Sequence, residues 1–216
     1  MKKNLSEIVI IADRSGSMAG TIVEARNSIN RLIEEQKQVD GEANFTFVMF
    51  DDEYEKVSDR KNLKEAVSVG EEYSSRGMTA LFDAIGKTLN HIGSELSKTD
   101  ECDRPEKVIV AIVTDGRENA SKEFNRKQIA EMIKTQQETY NWEFFFFGAN
   151  IDAFGVGCSL NVLDSNIVQY ENTFDGIRAA YCSMSASMTA SRSGGTVVDT
   201  SDVDKSDGGE DSEVQA

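Results

Sequence analysis

A chain of 216 residues, 39% apolar and 28% charged, is long enough for one sizeable hydrophobic core and too short for two typical domains joined by a linker. Its formal net charge of −15 would repel a nucleic-acid backbone or an anionic membrane surface, which leaves cations, basic surfaces or partners reached through a bound metal. No apolar run approaches the ~18 residues of a membrane helix, and the short run behind the N-terminal lysines is no signal-peptide core, so a cytoplasmic location is expected.

The first element is a strand over residues 5–12, whose apolar run Ile8 to Ala12 stops abruptly at "DRSGS". Asp13, Ser15 and Ser17 therefore stand at alternate positions just beyond a buried strand. Ile22, Ala25, Ile29, Leu32 and Ile33 then recur at helical spacing, with Thr21 and Glu24 set as a capping box. A strand over 44–50 follows. "DDE" reads as a solvated hairpin turn and "YEKVS" as its short partner strand.

Leu81, Ile85, Leu89, Ile92 and Leu96 share one face of a helix over 80–97, with Thr79 just before it and Asp83 in its first turn, where a carboxylate suits the helix dipole. "KVIVAIVT" (107–114) is a second buried strand that ends in an aspartate, Asp115. A helix over 125–139, strands over 142–148 and 166–170, and a closing helix with Ile177, Tyr181, Met184 and Met188 inward complete the pattern. Solid apolar strands alternating with amphipathic helices predict a three-layer α/β domain, a mostly parallel sheet with helices on both faces.

Composition changes near residue 190. From there to Ala216 the chain has seven acidic and two basic residues and no aromatic one. Residues 1–189 are thus expected to form the domain and 190–216 a disordered acidic tail, whose carboxylates are candidate intramolecular ligands. Cys102, Cys158 and Cys182 lack a C-x-x-C pair and read as reduced thiols, and the single histidine, His91, as a surface or packed residue.

In an open parallel sheet, ligands bind at the carboxyl ends of the strands. Asp13, Ser15, Ser17, Thr79 and Asp115 all fall there. Each hydroxyl also fits an N-cap, and D-x-S-x-S alone is unspecific. Together the five offer only oxygen, which suits a hard cation such as Mg²⁺ and argues against zinc or copper. The three hydroxyls supply oxygen without neutralising the metal, so the ion would stay electrophilic toward an external carboxylate. A Mg²⁺-dependent phosphatase would also place Asp at strand ends, but it would want a second acid where Ser15 stands. A structural assembly subunit with a purely stabilising metal is the other alternative. Arg117 and Glu118 would shape the rim.

"DRSGS", "GMTALFDAI" and "VTDGREN" together resemble the von Willebrand factor A domain, the family that includes integrin I domains. "WEFFFFGANIDAFGVG" is similar to single-domain members from bacteria and their phages. The resemblance covers roughly residues 5–188. It implies a Rossmann-like fold and a metal-ion-dependent adhesion site (MIDAS) made by Asp13, Ser15, Ser17, Thr79 and Asp115. It also implies Mg²⁺ or Mn²⁺ there, completed by an Asp or Glu of a partner protein, in a non-enzymatic interaction module.

Overall fold

Strand pleating sorts the apolar runs onto two faces of one sheet. The computed structural model describes residues 1–194. Its strands are β1 (Lys2–Asp13), β2 (Glu42–Phe50), β3 (Tyr54–Asn62), β4 (Pro105–Thr114), β5 (Glu143–Ala149) and β6 (Ile167–Tyr170). They lie in the order β3-β2-β1-β4-β5-β6, all parallel except the edge strand β3. The helices are α1 (Ile22–Lys37), α2 (Leu81–Lys98), α3 (Arg126–Tyr140), α4 (Ala153–Ser159) and α5 (Phe174–Arg192).

Ile8, Ile10 and Phe47 pack on one face against Ile29, Ile33 and Tyr181, so α1 and α5 form one outer layer. Val9, Ile11 and Phe144 pack on the other against Ile85, Leu89 and Ile129, so α2 and α3 form the second, with α4 beside them. This is the three-layer arrangement that the alternating runs predict and the Rossmann-like fold that the resemblance implies. The chain leaves β1 toward β2 on one side and returns to β4 on the other, so the crevice at the topological switch point opens between β1 and β4. Ala12 pairs with Val113, which sets Asp13 and Asp115 on neighbouring strand ends.

Several local expectations are corrected. β3 is a nine-residue strand, not a short partner; its polar sequence hides it because only the edge of the sheet is covered. Arg60 takes a left-handed φ of 46° at a register shift, and its guanidinium reaches the fully buried Glu7 through Nε (3.1 Å) and Nη2 (3.1 Å). The Thr21–Glu24 capping box does not form, because Thr21 Oγ1 instead donates to Asn172 Oδ1 at 2.7 Å. A capping box does open α3, between Asn125 and Gln128. Asp51 is not solvated: it is buried beside the guanidiniums of Arg14 (3.2 Å) and Arg76 (2.7 Å). α5 runs to Arg192, past the expected boundary at 189. The acidic tail, from residue 195 on, lies outside the described residues.

Glu7 tests the weight of a buried charge. Arg60→Ala strands that carboxylate without its cation and is expected to cost about 3–5 kcal/mol in urea denaturation. The paired change Glu7→Leu with Arg60→Met should recover most of the loss.

Candidate metal centre

Three loops deliver the five expected residues to one place. The first follows β1. Asp13 Oδ1 accepts the backbone N–H of Ser15 at 2.6 Å, which folds the loop back over the strand end. Ser15 Oγ then lies 3.1 Å from Ser17 Oγ, and Ser17 Oγ donates to Asp115 Oδ1 at 2.5 Å. Asp13 Oδ2 accepts from Thr114 Oγ1 at 2.6 Å, so the two strand ends are bonded directly.

Thr79 arrives from a second loop. Gly77 adopts a φ of +67°, open to glycine at no steric cost, and a Cβ there would sit 1.9 Å from Asp52 Oδ1. Gly16 N–H donates to Gly77 O at 3.2 Å and Arg76 N–H to Arg14 O at 2.8 Å, stitching this loop to the first. Thr79 N–H donates to Asn119 Oδ1 at 2.9 Å, tying it to the third loop. That third loop is held by Asp83, which accepts the N–H groups of Lys122, Glu123 and Phe124, each at 2.9 Å. Burial raises the Asp83 pKa, but the three N–H bonds outweigh it and leave the carboxyl below its ordinary range. Glu118 accepts the N–H of Phe82 at 3.0 Å and so helps cap α2, a structural contribution at the rim; Arg117 is simply exposed.

Gly116 shows how closely the hydroxyls converge. A Cβ on it would meet Thr79 Oγ1 at 2.7 Å and both Ser15 Oγ and Ser17 Oγ at 3.4 Å. Asp13, Ser15, Thr79 and Asp115 are buried, whereas Ser17 faces solvent. Among the described residues no group of three or more His, Cys, Asp or Glu side chains is placed to hold a metal ion. The donors gathered here are two carboxylates and three hydroxyls, oxygen throughout, a set that fits a hard divalent cation.

Electrostatics agree with that fit. Burial pushes the Asp115 pKa up to about 6; the Ser17 hydrogen bond opposes the shift and the Asp13 charge adds to it. Burial likewise raises Asp13, against the hydrogen bonds from Thr114 and Ser15. Two like charges are thus crowded where only neutral donors face them. Sequence reasoning misses Thr114, Gly116, Asn119 and Asn172. The "DG" after β4 hints at Gly116, but no spacing rule points to the others.

An open α/β sheet with oxygen donors at the carboxyl ends of its two central strands is the class of domain that fold and site define. The family profile of the von Willebrand factor type A domain matches residues 7–170, and the chain belongs to that family of metal-dependent adhesion and interaction modules. No curated protein sequence matches it significantly. Among solved structures it is similar to the vWF domain of the type V pili tip protein Mfa5 from Porphyromonas gingivalis, at 10% identity and a TM-score of 0.63 over 90% of this chain and 98% of that one. Proximal thread matrix protein 1 from the mussel byssus, solved with a zinc-occupied MIDAS motif, aligns at 13% identity and 0.57 over 89% of this chain and 47% of that one. Manganese-loaded TRAP protein from Plasmodium vivax aligns at 14% and 0.55, over 83% and 73%. The chain spans about half the length of the mussel protein, and identities this low show the fold alone.

The raised Asp115 pKa has a measurable sign. Between its unfolded value near 3.8 and its folded value of about 6, the native state holds a proton that the unfolded chain has released. The stability from this group is present at the acid side and lost as pH rises through about 6. Thermal melts in chelator should therefore show Tm rising from pH 7 to pH 5. Asp115→Asn should flatten that slope.

Proposed function

We propose that the chain is a metal-dependent protein-binding module whose MIDAS is built from Asp13, Ser15, Ser17, Thr79 and Asp115. The observation that carries this reading is the convergence of the Thr79, Ser15 and Ser17 hydroxyls around Gly116, beside two carboxylates with raised pKa values. Mg²⁺ is the expected ion, with Mn²⁺ an alternative, because both are content with oxygen ligands. When bound, the ion supplies a Lewis-acidic point for an external carboxylate. The chain's own residues do the rest. Asp13 and Asp115 contribute two negative charges, the hydroxyls contribute lone pairs without charge, and an Asp or Glu from a partner protein completes the set.

The surroundings support a protein partner. In a parallel α/β sheet the loops and helix starts that follow the strands share the edge on which the site sits. Val23, Met78, Phe154 and Phe174, four of the large apolar side chains that stand 48–57% exposed, all occur at such positions. Exposed apolar side chains on the edge that carries a ligand site offer contact area to a protein partner. The net charge of −15 opposes nucleic-acid and anionic-membrane partners, and no helix among the described residues is long and apolar enough to cross a membrane. A reducing, cytoplasmic setting fits the free and exposed Cys102, Cys158 and Cys182. Ser15, where an aspartyl phosphatase would carry its second acid, favours recognition over catalysis.

Titration calorimetry should find one Mg²⁺ or Mn²⁺ per chain, lost in Asp13→Ala and weakened at least tenfold in Thr79→Ala. Because the ion needs both carboxylates deprotonated, Mg²⁺ at a hundred times its Kd should add about 2.7 kcal/mol at pH 7 and less at pH 5. A pull-down in Mg²⁺ compared with one in chelator separates a recognition site from a purely stabilising metal, since only the former loses its partner with the ion. Phosphatase and nucleotide-hydrolysis assays in Mg²⁺ should stay at background. Turnover abolished by Asp13→Asn would replace this reading with an enzymatic one.

A further inference from the structure

Asn172 lies between β6 and α5, just beyond the stretch 7–170 matched by the family profile. Its amide nevertheless reaches into the metal centre. Nδ2 donates to Asp115 Oδ2 at 2.8 Å and extends toward Ser17 O at 3.5 Å, while Oδ1 accepts from Thr21 Oγ1 at 2.7 Å. The amide has one orientation that satisfies all three partners. A carboxylate and a carbonyl can only accept, so the NH₂ end must face Asp115 and Ser17, and the Thr21 hydroxyl is left to donate to the other end.

The consequence passes through Asp115. Its Oδ1 accepts a hydrogen bond from the Ser17 hydroxyl at 2.5 Å and its Oδ2 accepts one from the Asn172 amide at 2.8 Å, so the carboxylate is held at both oxygens. With its hydroxyl donating to Asp115, Ser17 Oγ keeps only acceptor capacity, one lone pair toward Ser15 Oγ at 3.1 Å and the other for a cation. Swinging Asp115 would misdirect Ser17 as well. An amide also does this without adding charge, whereas an aspartate at 172 would add a third carboxylate and remove the donor.

We infer that Asn172 is a positioning residue of the metal centre, which orients Asp115, and through it Ser17, for cation binding. The inference rests on the metal-site reading above. The partners that hold a metal ligand in place govern affinity almost as strongly as the ligands, at ten- to a hundredfold per lost contact on the order of magnitude.

The test is Mn²⁺ titration of the full chain by calorimetry, with thermal melts in chelator alongside. Asn172→Ala should weaken Mn²⁺ binding about tenfold or more, and Asn172→Ser, whose side chain is too short to span to Asp115, should do the same should the alanine variant fold poorly. Thr173→Ala is the structural control. Thr173 Oγ1 accepts the Gly176 N–H at 3.1 Å at the start of α5, one residue away but without contact to Asp115. That variant should lower Tm and leave Mn²⁺ affinity within about twofold of wild type, since it loses a helix cap and no metal contact. Wild-type affinity in both Asn172 variants, or an equal loss in Thr173→Ala, overturns the inference while the metal site stands. Absence of Mn²⁺ uptake by the wild type, or full uptake by Asp13→Ala, overturns the metal-site reading and this inference together.

Discussion

Two aspartates must end adjacent strands and stay buried there, and most of the architecture near the site answers that constraint. Asp13 and Asp115 are 102 positions apart in the chain but terminate β1 and β4, the neighbours at which the sheet changes direction. Parallel pairing forces a crossover through α1, β2, β3 and α2 between them, so the site exists only once the whole domain has assembled. Burial then makes their charges costly, as their raised pKa values show. No cation among the site residues neutralises them: the nearest partners are the Ser15 N–H, the hydroxyls of Thr114 and Ser17, and the Asn172 amide. Two like charges arranged in this way find no counter-charge among the groups that touch them.

Basic side chains do lie close by, but their charge is engaged elsewhere. Arg14, inside the first loop, is buried and turned to Asp51 and Glu55, at 3.2 and 2.9 Å. Arg76 of the second loop also pairs with Asp51 and with Glu53. Asp51 in turn accepts the N–H of Glu53 at 2.7 Å, and its own carbonyl accepts the N–H of Ala80 beside Thr79. Two loops and the β2–β3 turn are thereby joined through one buried carboxylate. Breaking a buried pair of this kind is costly because it orphans the remaining charge. The network ties together the loops that carry Ser15, Ser17 and Thr79 and holds both arginines on acids other than Asp13 and Asp115.

Legibility in the sequence follows burial. β1, β4 and β5 are covered on both faces, so they appear as unbroken apolar runs, and their ends reveal Asp13 and Asp115. The amphipathic α1 and α2 are equally plain, and α2 places Thr79. β3 is half exposed at the sheet edge and α4 contains Gly155 and Gly157 in seven residues, so neither carries a clear periodic signal. Thr21 and Asp51 are misread for a different reason. Locally they have the chemistry of a cap and a turn, and each is claimed by a partner far off in the chain, Asn172 and Arg76, that no local pattern encodes. The five converging residues are legible because each is tied to a strand end or helix start; the residues hydrogen-bonded to them are not, because their positions depend only on the assembled fold.

The same reasoning explains why the domain continues past the last strand. α5 is not an appendage to a sheet already complete at Tyr170. It supplies Tyr181 and Met184 to the core shared with α1, and Gln36 of α1 donates to Ser185 O and Thr189 Oγ1, both at 2.9 Å, across that interface. Arg192 closes the contact by donating to Gln36 O at 2.6 Å. Tyr73, fully buried in the same layer, donates to the Asp13 carbonyl at 2.9 Å, so the packing beneath α5 reaches the backbone of the first site residue. Removing this helix would uncover one apolar face of β1 and β4, the strands whose ends carry the two aspartates. Two buried like charges with no counter-charge of their own need that support, because the surrounding fold is what holds them in register.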